Sequence, residues 1–200
     1  YVEPIRNSEN LDIRTGTVVE HLVIEGGRVT GVAIRKGSRR ETIFARRGVI
    51  LSAGAFNSPQ ILMLSGIGPG RHLRALDIPV ALDRPAVGSN LQDHIDYVSS
   101  WQSGSRVPIG NSREGTLRML GAIVEHRRKR TGAMTTPYAE AGGFWTVGEN
   151  APAPDVQWHF VPAMLEDHGR EKVSGHGVSL HACVLRPESR GTVRLASPDA

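Results

Sequence analysis

Ser52, Ala53 and Gly54 stand where a short apolar run meets a helix signal, and their small side chains leave room for a large group against the backbone. The run itself, Gly48 to Ser52 (Gly-Val-Ile-Leu-Ser), does not alternate, as expected of a strand covered on both faces in a parallel sheet. After it, Asn57 or Ser58 is expected to cap a helix whose first residue is Pro59 and which stops near Gly66. A strand, a small-residue turn and a capped helix in succession make the local design of a site that meets a cofactor at the carboxyl end of a strand. The free N–H groups and partial positive charge of a helix start suit an anion such as a pyrophosphate.

Other chemistries fit less well. His159, His168, His176 and His181 fail as a metal site, because no helical i, i+4 pair or compact turn gathers them. Ser65 lacks the Gly-x-Ser-x-Gly elbow of a hydrolase. Trp101, Trp145 and Trp158 read as core or interface residues. Cys183 is the single cysteine, so there is no internal disulfide, which fits a reducing, cytoplasmic setting, peripheral to a membrane at most. The net charge of +4 is a mild excess of base, and its densest run, Arg127 to Arg130, reads as the end of a helix. No aromatics interleave that run, so nucleic acid is not an expected partner. No run of 18 apolar residues exists to span a membrane.

The elements that must position these residues follow from patterning. Leu11 to Thr15, Thr17 to Glu25, Arg28 to Lys36 and Glu41 to Arg46 read as strands, with Gly26-Gly27 as a hairpin turn. A short helix is expected from Pro69 to about Asp77, and a loop from Asp83 to Asp93. Ser112 to Arg130 reads as an amphipathic helix with Leu117, Leu120, Gly121 and Val124 on one face. Ala151 to Pro154 marks a break; alternating strands then run through Val156 to Val161 and Val178 to Leu185. The expected fold is α/β followed by α+β, with a boundary near Tyr97: residues 1–97 form part of one domain and 98–200 an antiparallel-sheet domain.

The stretch from Gly54 to Gly68 (Gly-Ala-Phe-Asn-Ser-Pro-Gln-Ile-Leu-Met-Leu-Ser-Gly-Ile-Gly) resembles the second sequence signature of the glucose–methanol–choline oxidoreductases. Val49 to Gly54 resembles the strand before that signature, Pro85 to His94 the family's loop ending in Asn-Leu-Gln-Asp-His, and Pro187 to Val193 its Pro-x-Ser-Arg-Gly segment. One departure is Ala86, where the family has glycine; if that position demands a positive φ, Ala86 strains the loop.

The resemblance implies a flavoenzyme in two domains: a Rossmann-like FAD-binding domain, here partial, and a substrate domain with an antiparallel sheet. It implies FAD as cofactor and oxidation of an alcohol by hydride transfer to the flavin, with a choline-dehydrogenase-like branch as the leading choice. Val19 is placed to meet the adenine through its backbone, Ser52, Ala53 and Gly54 to line the cofactor groove, and Asn90, Asp93 and His94 to shape the flavin pocket. A GxGxxG fingerprint is not found, and no histidine sits in a motif matching the family's catalytic one, so no catalytic residue is assigned. The chain is therefore expected to be an internal part of a longer enzyme and inactive alone; the alternative is a truncated, non-catalytic module. The electron acceptor, whether oxygen, a quinone or a carrier protein, stays open, as does the identity of the small-molecule alcohol.

Overall fold

The structure is a computed structural model that describes residues 1–149, 152–165 and 173–200. The chain forms two units, Tyr1–Gln92 with Ser189–Ala200, and Asp93–Glu188. The boundary expected near Tyr97 thus meets a division at Gln92, with the last twelve or so residues returning to the first unit.

In the first unit, β1 (Val18–Glu25), β2 (Arg28–Lys36) and β3 (Arg39–Phe44) form an antiparallel meander in the order β1-β2-β3. Gly26 and Gly27 make the first turn at φ 57° and 75°, the mirror-image geometry that matches the twist of a hairpin. Leu11 to Thr15 is irregular rather than a strand. The same correction applies to Gly48–Ser52. No described strand pairs with it, and Ile50 is 93% exposed. An apolar run becomes a strand only when neighbours accept and donate its backbone hydrogen bonds.

Helix α1 (Gly54–Leu64) begins a full turn before the expected start. Pro59 lies inside it, and Ser58 is no cap; its hydroxyl instead accepts the N–H of Ala53 at 3.0 Å. Pro59 is the sixth helical residue, past the four N–H groups that lack intrahelical partners, so it forfeits one intrahelical bond, a cost set against the burial of Ile61 and Met63 on the same helix. At the other end Gly66 adopts φ +80°, and the N–H of Gly66 bonds to the carbonyl of Met63. The chain then runs through β4 (Ile67–Gly68), α2 (Gly70–Arg74) and β5 (Leu82–Asp83), with β4 and β5 paired in parallel. The core is Met63, Leu73 and Ile78, packed by Leu64, Leu76, Val80, Val87 and Leu195. Leu195 explains why the last segment belongs here, as does the pairing of Gly191–Thr192 with β6 (Ser89–Leu91). Ala86 carries no positive φ; in this loop that demand falls on Gly88 and Asn90, so the expected strain is absent. Asparagine is among the few non-glycine residues that take the left-handed region readily.

The second unit is an antiparallel sheet of β7 (Asp96–Gln102), β11 (Gly175–Val184), β10 (Val156–Val161) and β9 (Ala141–Trp145), in that order, with β8 (Gly110–Asn111) pairing the start of β11. Helix α3 (Arg113–Lys129) is capped by Ser112, whose hydroxyl accepts the N–H of Gly115, and ends with Arg130 in the left-handed region. The buried His176 supports that cap. One ring nitrogen donates to the carbonyl of Pro108 at 2.8 Å, and the other lies 2.9 Å from the Ser112 hydroxyl. The expected apolar face of α3 is real as a pattern, yet Leu117, Leu120 and Val124 stand exposed. All three tryptophans, with Tyr97 and Phe160, share one face of the sheet by register and are exposed, so they are not core residues within this chain. His168 lies outside the described residues, as does Ala151 of the expected break.

Gly66 is the position where conformation and space coincide. Its φ disfavours any side chain, and an added Cβ would sit 2.4 Å from the carbonyl oxygen of Pro79. Gly66→Ala is expected to destabilise the first unit by about 2 kcal/mol or more. A urea titration should show the midpoint falling; an unchanged midpoint would mean that the turn rearranges freely.

Candidate functional site

Ser52, Ala53 and Gly54 form one bend at the start of α1, with Ser52 and Gly54 exposed. Gly54 has φ +85° and nothing within 4 Å of where a Cβ would lie, so its backbone is open to a bulky partner. The helix start there carries no side-chain cap on Ala53, which leaves its first N–H groups available.

Val19 lies on β1, the edge strand of the meander. An edge strand keeps one row of N–H and C=O groups for something other than a strand. One of these is used: the N–H of Leu22 donates to the Ser65 hydroxyl at 2.8 Å, which ties β1 to the end of α1. The open bend at α1 and the open edge of β1 therefore belong to one packed assembly, and its groups fit a nucleotide-bearing cofactor: small residues against a helix start for phosphates, a strand edge for a base.

Asn90, at φ 63°, is exposed in the first unit. Asp93 and His94 are exposed in the second, where the His94 N–H donates to the Asp93 carboxylate at 2.9 Å. Val19, Ser52, Ala53, Gly54 and Asn90 thus share the first unit, and Asp93 and His94 the second. No helix among the described residues is long and apolar enough to cross a membrane.

A cluster missed by sequence reading lies in the second unit. The Asp96 carboxylate takes a hydrogen bond from His181 Nδ1 at 2.8 Å and another from the Cys183 thiol at 3.2 Å. Burial pushes the Asp96 carboxyl up, but the bonds from His181 and Cys183 outweigh it and hold the group below its ordinary value. Burial, reinforced by that carboxylate, pushes the thiol up to about 11, so Cys183 is no nucleophile at neutral pH. The alternation of β11 shows that His181 and Cys183 share a face; Asp96, far away in sequence, is brought opposite Cys183 only by the β7–β11 register. Among the described residues no group of three or more His, Cys, Asp or Glu side chains is placed to hold a metal.

Comparison with known proteins gives a consistent result. The family model described as GMC oxidoreductase matches residues 1–96. An oxygen-dependent choline dehydrogenase of Paraburkholderia phymatum is 39% identical over 200 residues, covering 100% of this chain and 35% of the relative. The mitochondrial choline dehydrogenase of Mus musculus is 39% identical over 199 residues, covering 98% of this chain and 33% of the relative. Pyridoxine 4-oxidase from Mesorbium loti superposes with a TM-score of 0.73 at 27% identity, over 98% of this chain and 35% of that one. A formate oxidase of Aspergillus oryzae, from a structure concerned with FAD modification, superposes with a TM-score of 0.85 at 23% identity, over 98% of this chain and 39% of that one. The chain spans about a third of the length of the curated relatives it matches.

The Asp96 cluster carries a pH signature. Because its folded value is depressed below 3.8, its stabilising contribution is complete above that value and is lost as pH falls through the lower folded one. Asp96→Asn is expected to cost on the order of 1 kcal/mol at neutral pH. The gap between variant and parent should close as pH falls below about 4. Urea midpoints across pH 2.5 to 7 test this; a gap independent of pH would remove the charge from the explanation.

Proposed function

We propose that this chain, whose residues 1–96 match the GMC oxidoreductase family model, forms part of an FAD-dependent enzyme of that family that oxidises an alcohol to the aldehyde or ketone. When bound, FAD supplies the redox chemistry by accepting the hydride. The chain's own residues do the holding. In this reading the first unit serves the cofactor. Ser52, Ala53 and Gly54 pass close under it at the start of α1, and the Val19 backbone meets the adenine at the edge of β1. Asn90 in this unit, and Asp93 and His94 in the second, keep the flavin-binding role that the family resemblance assigns to each, and the sheet of the second unit serves the substrate. The observation that carries the proposal is the Ser52–Gly54 bend, which couples small exposed residues to an uncapped helix start.

The relatives support a small alcohol of the choline type as substrate; the acceptor is oxygen, a quinone or a carrier protein. The setting is cytoplasmic, at the membrane surface at most, a reading supported by a lone cysteine without a disulfide partner. No residue of this chain is given the role of base.

The full-length protein is expected to be isolated with FAD and to reduce a dye when given choline or a related alcohol. Absence of flavin, or turnover of none of a panel of alcohols, would overturn the proposal. Residues 1–200 alone are expected to bind FAD only weakly and to turn over nothing, because exposed Ser52 and Gly54 supply one wall of a site that ordinarily encloses roughly 70–90% of its ligand. Flavin fluorescence quenching measures this directly.

Within the full-length protein, Gly54→Leu is expected to reduce flavin retention at least about tenfold, where Gly54→Ala costs only the roughly 1–2 kcal/mol of stability set by its positive φ. Equal flavin content in the two variants would show that backbone strain, not bulk in the groove, governs the site.

A further inference from the structure

The ladder between β1 and β2 contains an irregularity at the residue next to Val19. Val19 pairs with Ile34 and His21 with Ala33, so Glu20 is an extra residue without a partner on β2. Such a bulge changes both the face and the hydrogen-bonding direction of everything beyond it. The Leu22 N–H points away from β2, since it bonds to Ser65. Antiparallel pairs alternate between hydrogen-bonded and non-hydrogen-bonded, so Leu22 with Val32 is a non-bonded pair and His21 with Ala33 a bonded one. Val19 with Ile34 is then again non-bonded, and the N–H and C=O of Val19 face the open edge. Without the extra residue, Val19 would fall opposite Arg35, in a bonded pair, with both groups turned inward to β2.

Glu20 holds this irregularity in place. Regular alternation would put it on the face of Leu22, Val32 and Ile34, where a carboxylate has no partner on β2. The bulge turns it to the other face instead, and there it is nearly buried, at 9% exposed, between two arginines. Arg35 of β2 donates to it at 3.0 Å and Arg40 of β3 at 3.1 Å. Three strands are thereby pinned at one point.

We propose that Glu20 is a positioning residue for the cofactor: its clamp by Arg35 and Arg40 keeps the bulge that presents one backbone donor and one backbone acceptor of Val19 to an adenine edge. This rests on the proposed FAD site. One donor beside one acceptor is the complement of adenine's amino group and the adjacent ring nitrogen. FMN has no adenine, so the clamp bears on FAD alone.

The test uses the full-length protein with its flavin removed and then titrated with FAD and separately with FMN. Glu20→Ala is expected to weaken FAD about tenfold, the worth of roughly one lost hydrogen bond, and to leave FMN affinity unchanged. Glu20→Gln, which keeps oxygen for one arginine, should recover most of the loss. Arg40→Ala guards against misfolding, since that side chain is 74% exposed, and should move the FAD-to-FMN ratio the same way by a smaller factor. The proposal fails if FAD and FMN weaken together in these variants, or if the ratio stays at the parent value in both Glu20→Ala and Arg40→Ala. Failure of the parent protein to take up any FAD would instead overturn the cofactor reading beneath it.

Discussion

The bond from the Leu22 N–H to the Ser65 hydroxyl is the joint on which the first unit depends. Ser65 ends α1, and its hydroxyl also donates to the carbonyl of Ile61, so one side chain closes the helix and docks the meander. The glycine that follows permits it. Gly66 turns the chain at positive φ against Pro79 and Ala81, and any side chain there would push the helix end away from that segment. Strand edge, helix end and the Met63, Leu73 and Ile78 core are consequences of one another rather than separate features.

The same joint gives the candidate site its geometry. Helix α1 has its end fixed to β1 and its start left open at the Ser52–Gly54 bend. A helix held at its C-terminal end and uncapped at its other end offers its partial positive charge to a ligand instead of to its own chain. Glu20, nearly buried, is held by two charge-assisted bonds; burial works against its charge, yet the arginines keep its carboxyl below the ordinary range. The clamp matters less as a source of stability than as a choice of register, because a shift of one residue would turn every side chain and every backbone group of the strand around.

The second unit solves its polar problem differently. Ser179 is fully buried, yet its hydroxyl accepts the Leu165 N–H, donates to the Ala163 carbonyl and lies 2.8 Å from the Ser100 hydroxyl. Asp96, His181 and Cys183 continue this polar face, while Trp101, Trp145, Trp158, Tyr97 and Phe160 gather on the opposite one. The two faces of the sheet thus differ in chemistry, one carrying the bonded Ser179 and Asp96 groups and the other most of the aromatics.

Much of this was legible from the residues. The hairpin at Gly26-Gly27, the helix from Ser112, the two strands Val156–Val161 and Gly175–Val184, and the run from Gly54 to Gly68, which lies within the residues the family model matches, are local patterns set by turn chemistry, alternation and side-chain size, whereas Asp96–Gln102 and Ala141–Trp145 gave no such signal. Tertiary structure decided what depends on partners distant in sequence. Gly48–Ser52 reads as a strand but has no described neighbour to make it one, and Pro59 reads as a helix start but lies inside a helix that begins at Gly54. The bulge at Glu20 and the pairing of Asp96 with His181 leave no trace in spacing, since each is set by which residue of another strand stands opposite. Local sequence determines what a segment can be; hydrogen-bond partners and charges brought from elsewhere in the chain determine which of those things it becomes.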